Sequence, residues 1–255
     1  MLDQLSEFEL GRFLLVNKGL NGYWTAYIIL HGTNRTPLLP LEDWILHHAP
    51  SVRATQERFR IFQRVLQKHL KDNIAIASVP CGMMDDLLSL NYSNIRNSRL
   101  VGIDLDRKSL DLAQENSNNL KMKNAKFIQS DAWKITNHKE FDIITSNGLN
   151  IYEPDDKKVI ALYKKFYEAL KPNGILITSF LTPPPTISKD SSWKNVNPQD
   201  ALKQKVIFND IIGVTWQAFR TEETTCTQLK AAGFKVLEVI YDSQGIFPTV
   251  VAKKV

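Results

Sequence analysis

Residues 74–86 read Ile-Ala-Ile-Ala-Ser-Val-Pro-Cys-Gly-Met-Met-Asp-Asp, and the fold is decided here. The first six are small or apolar, too short a run for a buried helix, and Pro80 ends them, so a strand covered on both faces is expected. Gly82 lets the backbone turn tightly, and the next helix is expected from about Met83. The same rhythm repeats downstream. Strands are expected at Ile74 to Val79, Leu100 to Asp104, Ala125 to Ile128, Phe141 to Thr145 and Gly174 to Phe180. Amphipathic helices fill the gaps, which is the pattern of a parallel sheet with crossover connections. The clearest helix runs from Pro154 to Leu170. It has Pro154 at its first position, Asp155 and Asp156 at the positive end of the dipole, and Pro172-Asn173-Gly174 as its stop.

Outside this core the pattern changes. Residues 1–72 read as a helical cap with no strand signal, including a helix from about Val52 to Leu70. After the fifth strand, Pro183-Pro184-Pro185 opens an insertion, 183–219, with its own helix from Asp200 to Ile212, long enough to serve as a substrate lid. A helix ending at Ala232-Gly233 follows. Strands Phe234 to Tyr241 and Ile246 to Ala252, joined through Ser243-Gln244-Gly245, then read as a closing antiparallel hairpin.

Composition narrows the function. The chain has 255 residues, 43% of them hydrophobic, and a net charge of +5 whose basic residues are scattered, so no nucleic acid partner is expected. Cys81 and Cys226 form no metal-ligand spacing, and no metal is expected. The acidic amino terminus lacks the features of a secretory signal, and no apolar run reaches the roughly 20 residues that span a bilayer. A cytoplasmic protein is the expectation.

In a doubly wound sheet the ligand lies beyond the carboxyl ends of the strands. Four such places carry suggestive residues: Gly82, Asp104 about 20 residues further on, Asp131 in Gln-Ser-Asp-Ala-Trp, and Ser146-Asn147-Gly148. Each alone could serve a turn or a cap, but together they outline a nucleoside site with Asp104 on the ribose. A pyrophosphate needs free N–H groups and glycines. This loop offers Pro80, which has no N–H, and Asp85-Asp86, which repel phosphate. A cofactor bearing a sulfonium and an ammonium is compatible with those acids.

The segments 77–88 (A-S-V-P-C-G-M-M-D-D-L-L), 101–113 (V-G-I-D-L-D-R-K-S-L-D-L-A), 129–133 (Q-S-D-A-W) and 170–180 (L-K-P-N-G-I-L-I-T-S-F) resemble, in order, the class I S-adenosylmethionine-dependent methyltransferase family. The resemblance runs from about Asn73 to Val255. It implies an α/β, Rossmann-like methyltransferase fold, with a seven-stranded sheet in the order 3-2-1-4-5-7-6, the amino-terminal helices as an appendage, and 73–255 as the methyltransferase domain. The implied cofactor is S-adenosyl-L-methionine. Its binding residues would be Pro80, Cys81, Gly82 and Met83 at the methionine moiety, Asp104 at the ribose, Leu105, Asp131 and Ala132 at the adenine, and Asn147 and Gly148 at the reacting end. Where the family places an acidic residue and three glycines, this loop has Ser78, Pro80, Gly82 and Met84.

Methyl transfer needs alignment above all, and a base only where the acceptor must lose a proton. No catalytic residue is assigned. Ser146 to Tyr152 lacks the Asn/Asp-Pro-Pro-aromatic pattern of enzymes that methylate adenine or glutamine amino groups. Tyr23, Trp24, Tyr27, Tyr152, Trp193 and Trp216 are candidates for an aromatic wall around a small apolar or aromatic acceptor, though packing of the appendage on the core explains Trp24 and Tyr27, taken singly, better. His47 and His48 are the best candidate bases, although a surface or capping role accounts for them better. Cys81 is expected to be a loop residue rather than a nucleophile. A non-catalytic binding protein and a nicotinamide dehydrogenase stay open as alternatives.

Overall fold

The computed structural model describes all residues, Met1–Val255. Five helices come first: α1 (Leu2–Ser6), α2 (Glu9–Asn17), α3 (Gly22–Ala26), α4 (Pro40–His47) and α5 (Pro50–His69), with a π-helical turn at Tyr27–His31 and a 3-10 turn at Gly32–Asn34. The sheet segment follows with β1 (Ala75–Ser78), α6 (Asp85–Leu88), β2 (Arg99–Asp104), α7 (Arg107–Asn119), β3 (Ala125–Gln129), β4 (Phe141–Ser146), α8 (Asp156–Ala169) and β5 (Leu170–Ser179). The insertion carries α9 (Pro198–Gln204), and α10 (Glu222–Ala231), β6 (Phe234–Ile240) and β7 (Thr249–Lys254) complete the chain.

The seven strands form one sheet in the order β3-β2-β1-β4-β5-β7-β6, as expected. All pairs are parallel except those of β7, which runs antiparallel to both β5 and β6. Alternation along each strand divides the core. Ala75, Ala77, Val79, Val101 and Ile103 face α8 and α10 through Leu162, Phe166 and Leu229. Ile74, Ile76, Leu100 and Ile143 face the other way, onto Ile61, Phe62 and Leu66 of α5 and Leu110 of α7. Truncating the fully buried Phe62 to Ala would cost about 3–5 kcal/mol.

A third cluster joins the amino-terminal helices to the insertion, with Leu10, Leu14, Trp24, Ile28 and Ile45 packed on Ile207, Phe208 and Ile212. Two hydrogen bonds fasten the same contact: Trp44 Nε1 donates to Asp200 Oδ1 at 2.8 Å and the Ser51 N–H to Gln204 Oε1 at 2.7 Å.

Several boundaries differ from the sequence expectation for identifiable reasons. Asp155 caps α8 by accepting from the Lys157 N–H at 2.8 Å, so Pro154 lies before the helix rather than at its first position. The stop is Ala169. The strand already starts at Leu170, and Pro172-Asn173-Gly174 lies within it, with Asn173 left-handed (φ 62) where the β4–β5 register shifts. Met84 is also left-handed (φ 61), which delays α6 from Met83 to Asp85. The helix expected over 200–212 is α-helical only to Gln204 and continues as a π-helix over Lys205–Ile212.

Candidate active site

The carboxyl ends of β1, β2 and β4 open into one cavity of about 510 Å³, roofed by α2, α3, the π-turn, α4 and α5. Eight of the ten expected cofactor residues line it: Pro80, Cys81, Gly82, Met83, Asp104, Leu105, Asn147 and Gly148. Asp131 and Ala132 are not among its walls. Asp131 instead caps the short 3-10 turn after β3, accepting from the Trp133 N–H at 2.9 Å, and Ala132 is buried in the core.

Asp104 is held from behind. Its Oδ2 accepts from the Gly82 N–H and its Oδ1 from the Asp106 N–H, both at 2.9 Å. Each oxygen keeps a further lone pair, enough for a vicinal diol. Burial raises its pKa, while those backbone bonds act in the opposite direction. Beside it Leu105 is 66% exposed, an uncovered apolar side chain at the cavity edge.

In the glycine-poor loop the side chain of Met84 points away from the cavity. Met84 is fully buried and is not a wall residue. Space for it comes from β2: a Cβ at Gly102 would lie 2.9 Å from Cys81 Sγ and 3.2 Å from Met84 Sδ. The loop also meets the roof at backbone distance, since a Cβ at Gly22 would stand 2.6 Å from both the Gly82 Cα and the Ser109 Oγ.

Asp86 is buried, hydrogen-bonded to the Ser78 hydroxyl at 2.9 Å, and desolvation pushes its pKa up to about 7. Burial also raises Asp85. The negative charge offered to a cation at neutral pH is therefore less than two full carboxylates. The Cys81 thiol is buried and its pKa raised, first by desolvation and then by Asp104 and Asp86, which makes it a poor nucleophile.

Of the aromatic candidates only Tyr152 and Trp216 line the cavity. Trp24 packs edge-on against Tyr23 and Tyr27, and Tyr27 donates to Glu42 at 2.7 Å. Trp193 Nε1 is bonded to Thr182 Oγ1 at 3.0 Å. The two candidate histidines are elsewhere. His47 is tied to Asp43 and the Thr33 carbonyl on the outer side of α4, and neither it nor His48 reaches the cavity.

Arg58 is the one Lys or Arg of the wall and is not among the residues expected from the sequence, although the sequence carries a signal for it. It sits four residues after Ala54 and four before Phe62, inside the buried stripe of α5. A charged residue within such a stripe marks a buried cation.

A family model described as a methyltransferase domain matches residues 70–229. The chain belongs to this family. It is an S-adenosylmethionine-dependent methyltransferase, with the Rossmann-like architecture of that class. The methyltransferase is 25% identical over 211 residues to the ubiquinone/menaquinone biosynthesis C-methyltransferase of Campylobacter jejuni, covering 77% of this chain and 86% of that one. It is 44% identical to a solved Bordetella parapertussis protein described as a "possible exported protein", with a TM-score of 0.95 over 99% of this chain and 85% of the other. A SAM-dependent methyltransferase of Aquifex aeolicus shares the fold, at 19% identity and TM-score 0.54, over 76% and 89% of the two chains. No helix is long and apolar enough to cross a membrane.

Proposed function

We propose that this methyltransferase holds S-adenosylmethionine along the β2–β1–β4 edge of the cavity and methylates a small, largely apolar or aromatic acceptor seated under the amino-terminal helices. One observation carries the reading: a single cavity is polar around Asp104 and Asn147 and apolar toward Leu14, Ile28, Phe59 and Phe208. The cofactor supplies an electrophilic methyl group on a sulfonium.

The residues present suit that cofactor. Asp104 offers one lone pair per oxygen to the ribose diol, and Leu105 gives the adenine an apolar platform. Asn147 Oδ1 is buried with no partner, an acceptor suited to the cofactor's ammonium. Asp131 and Ala132, just after β3, stand outside the cavity walls, so the adenine meets them only by extending past Leu105. The roof, residues 1–72 together with 183–219, excludes water and aligns the acceptor, which is most of what an in-line displacement asks of a protein. No histidine lines the cavity; where the acceptor has to lose a proton, the groups at hand are the wall carboxylates Asp85 and Asp86 or a neighbouring positive charge that favours the ionised acceptor. We place the protein in the cytoplasm, where its two free cysteines would stay reduced.

Calorimetric titration with S-adenosylmethionine, S-adenosylhomocysteine and NAD tests the cofactor site. Binding of the first two without NAD is the expected result. Failure of both to bind would remove this reading, and binding of NAD alone would replace it with a dehydrogenase.

A further inference from the structure

The acceptor end of the cavity contains one cation with almost nothing to balance it. Arg58 projects from α5 and is only 4% exposed. Its single hydrogen bond is from Nη1 to Ser179 Oγ, at a long 3.3 Å. Its Nε is buried without any partner, and it forms no ion pair. The carboxylate that acts on it through space, Asp242, accepts from the Gln244 N–H at 3.0 Å and the Phe247 N–H at 2.6 Å. The guanidinium is stacked on the Phe247 ring, 4.5 Å from its centroid. Burial lowers its pKa to about 10, so it remains charged at neutral pH.

A guanidinium has five N–H donors in a planar fork that matches two oxygens of one anion. Leaving it buried and unmatched is costly, and such groups in folded proteins normally have partners. Its neighbours say which end of the site the missing partner occupies. Arg58 stands beside Gly148 after β4, where a Cβ would be 3.0 Å from Nη1, and beside Ser179 at the end of β5. Asp104 lies on β2, with β1 and β4 between it and β5. The nucleoside and the guanidinium thus belong to opposite ends of the cavity, and the transferred methyl group falls between them.

We infer that Arg58 is the acceptor-recognition residue, and that the acceptor is an apolar molecule bearing an anionic oxygen group, a carboxylate or an ionised enol or phenol, which the guanidinium binds. This rests on the methyltransferase reading of the cavity. It also accounts for a site without a histidine base: the paired cation favours the ionised form of the acceptor, which is then the nucleophile or stands close to it. Apolar neighbours such as Val52, Phe59 and Phe208 give the remainder of the acceptor its affinity.

The test uses two probes of one shape, 1-naphthoate and 1-naphthamide, titrated into the full-length protein with and without S-adenosylhomocysteine. Wild type should bind the anion at least about tenfold more tightly than the amide, the value of one charged hydrogen bond. Arg58→Met should abolish that preference and leave amide, S-adenosylmethionine and S-adenosylhomocysteine affinities unchanged, whereas Arg58→Lys should keep part of it. The Met variant should fold, because exchanging an unmatched buried charge for an apolar side chain of similar length is neutral or stabilising; if it does not, the Lys variant decides by its reduced preference. Equal binding of both probes by wild type, or a preference that survives in the variants, overturns the inference. So does an Arg58→Met variant that loses cofactor affinity and retains the naphthoate preference, because the cofactor's own carboxylate would then be the partner. If neither cofactor form binds wild type, the cofactor reading fails, while the cofactor-free titrations still decide the role of Arg58.

Discussion

At the β2 end of the cavity the polar groups already hold one another; at the β5 end they do not. Asp104 receives a backbone N–H on each oxygen and is fixed before any ligand arrives. Arg58 makes one long bond and carries a buried nitrogen with no partner. The two ends also differ in origin. Asp104 and Gly82 come from the sheet and its first loop, whereas Arg58, Val52 and Phe59 come from a helix outside the strand rhythm. The difference separates two tasks. As proposed, the ribose of the cofactor is met by a carboxylate already held in place, and the acceptor by a cation that remains unsatisfied without it.

The comparison breaks first at Asp104. Asp104→Ala should weaken S-adenosylmethionine by about 1.5–3 kcal/mol, the loss of charged hydrogen bonds to the ribose. Calorimetry on folded variant protein measures this, and an unchanged affinity would move the ribose elsewhere. Asp86 gives the next effect. A carboxyl whose folded pKa lies near 7, above its ordinary 3.8, contributes stability that is fully present below about pH 4 and lost as pH rises through 7. Wild type should therefore lose stability relative to Asp86→Asn by up to about 1.4 kcal/mol per pH unit in that window. Parallel melting-temperature profiles from pH 5 to 8 would show that Asp86 ionises freely.

At the roof, Gly22→Val should separate α3 from the cofactor loop, because the added carbon would stand 2.6 Å from the Gly82 Cα. A drop in turnover of about tenfold with the sheet's melting transition kept is the expected pattern, as for groups that align rather than react. Full activity would mean that the contact gives way easily. The smallest effect is expected at Cys81→Ala and His47→Ala, which should keep most activity. Complete loss in Cys81→Ala with cofactor binding intact would restore a chemical role for that thiol.

The strands and the closing hairpin were legible in local pattern, short apolar runs bounded by turn residues, whereas their order came with the family resemblance; Gly82, Asp104 and Asn147, singled out at strand ends, do line the cavity. Helix limits were less so. A side-chain cap at Asp155 outweighed the usual place of Pro154, and left-handed residues at Met84 and Asn173 moved an end by two to four positions. The acceptor wall was legible least. Trp24, Tyr27 and Trp193 are aromatic for packing, and nothing in their spacing separates them from Tyr152 and Trp216, which face the cavity. Arg58 could have been found from α5 alone, as a cation on an apolar stripe, but its lack of a partner is a tertiary fact.

The two bonds from the insertion to the roof, Trp44 to Asp200 and Ser51 to Gln204, bear on how such an enzyme changes its diet. Segments about 150 positions apart in the chain are buttoned into one wall. The insertion is also pinned near its exit, where buried Arg220 donates to the Asn150 and Glu153 carbonyls just after β4. A descendant that altered only one half of that wall would leave the other pressed against the wrong shape. New acceptors would then be gained through paired changes in α4–α5 and 198–212, while the sheet below kept reading the same cofactor.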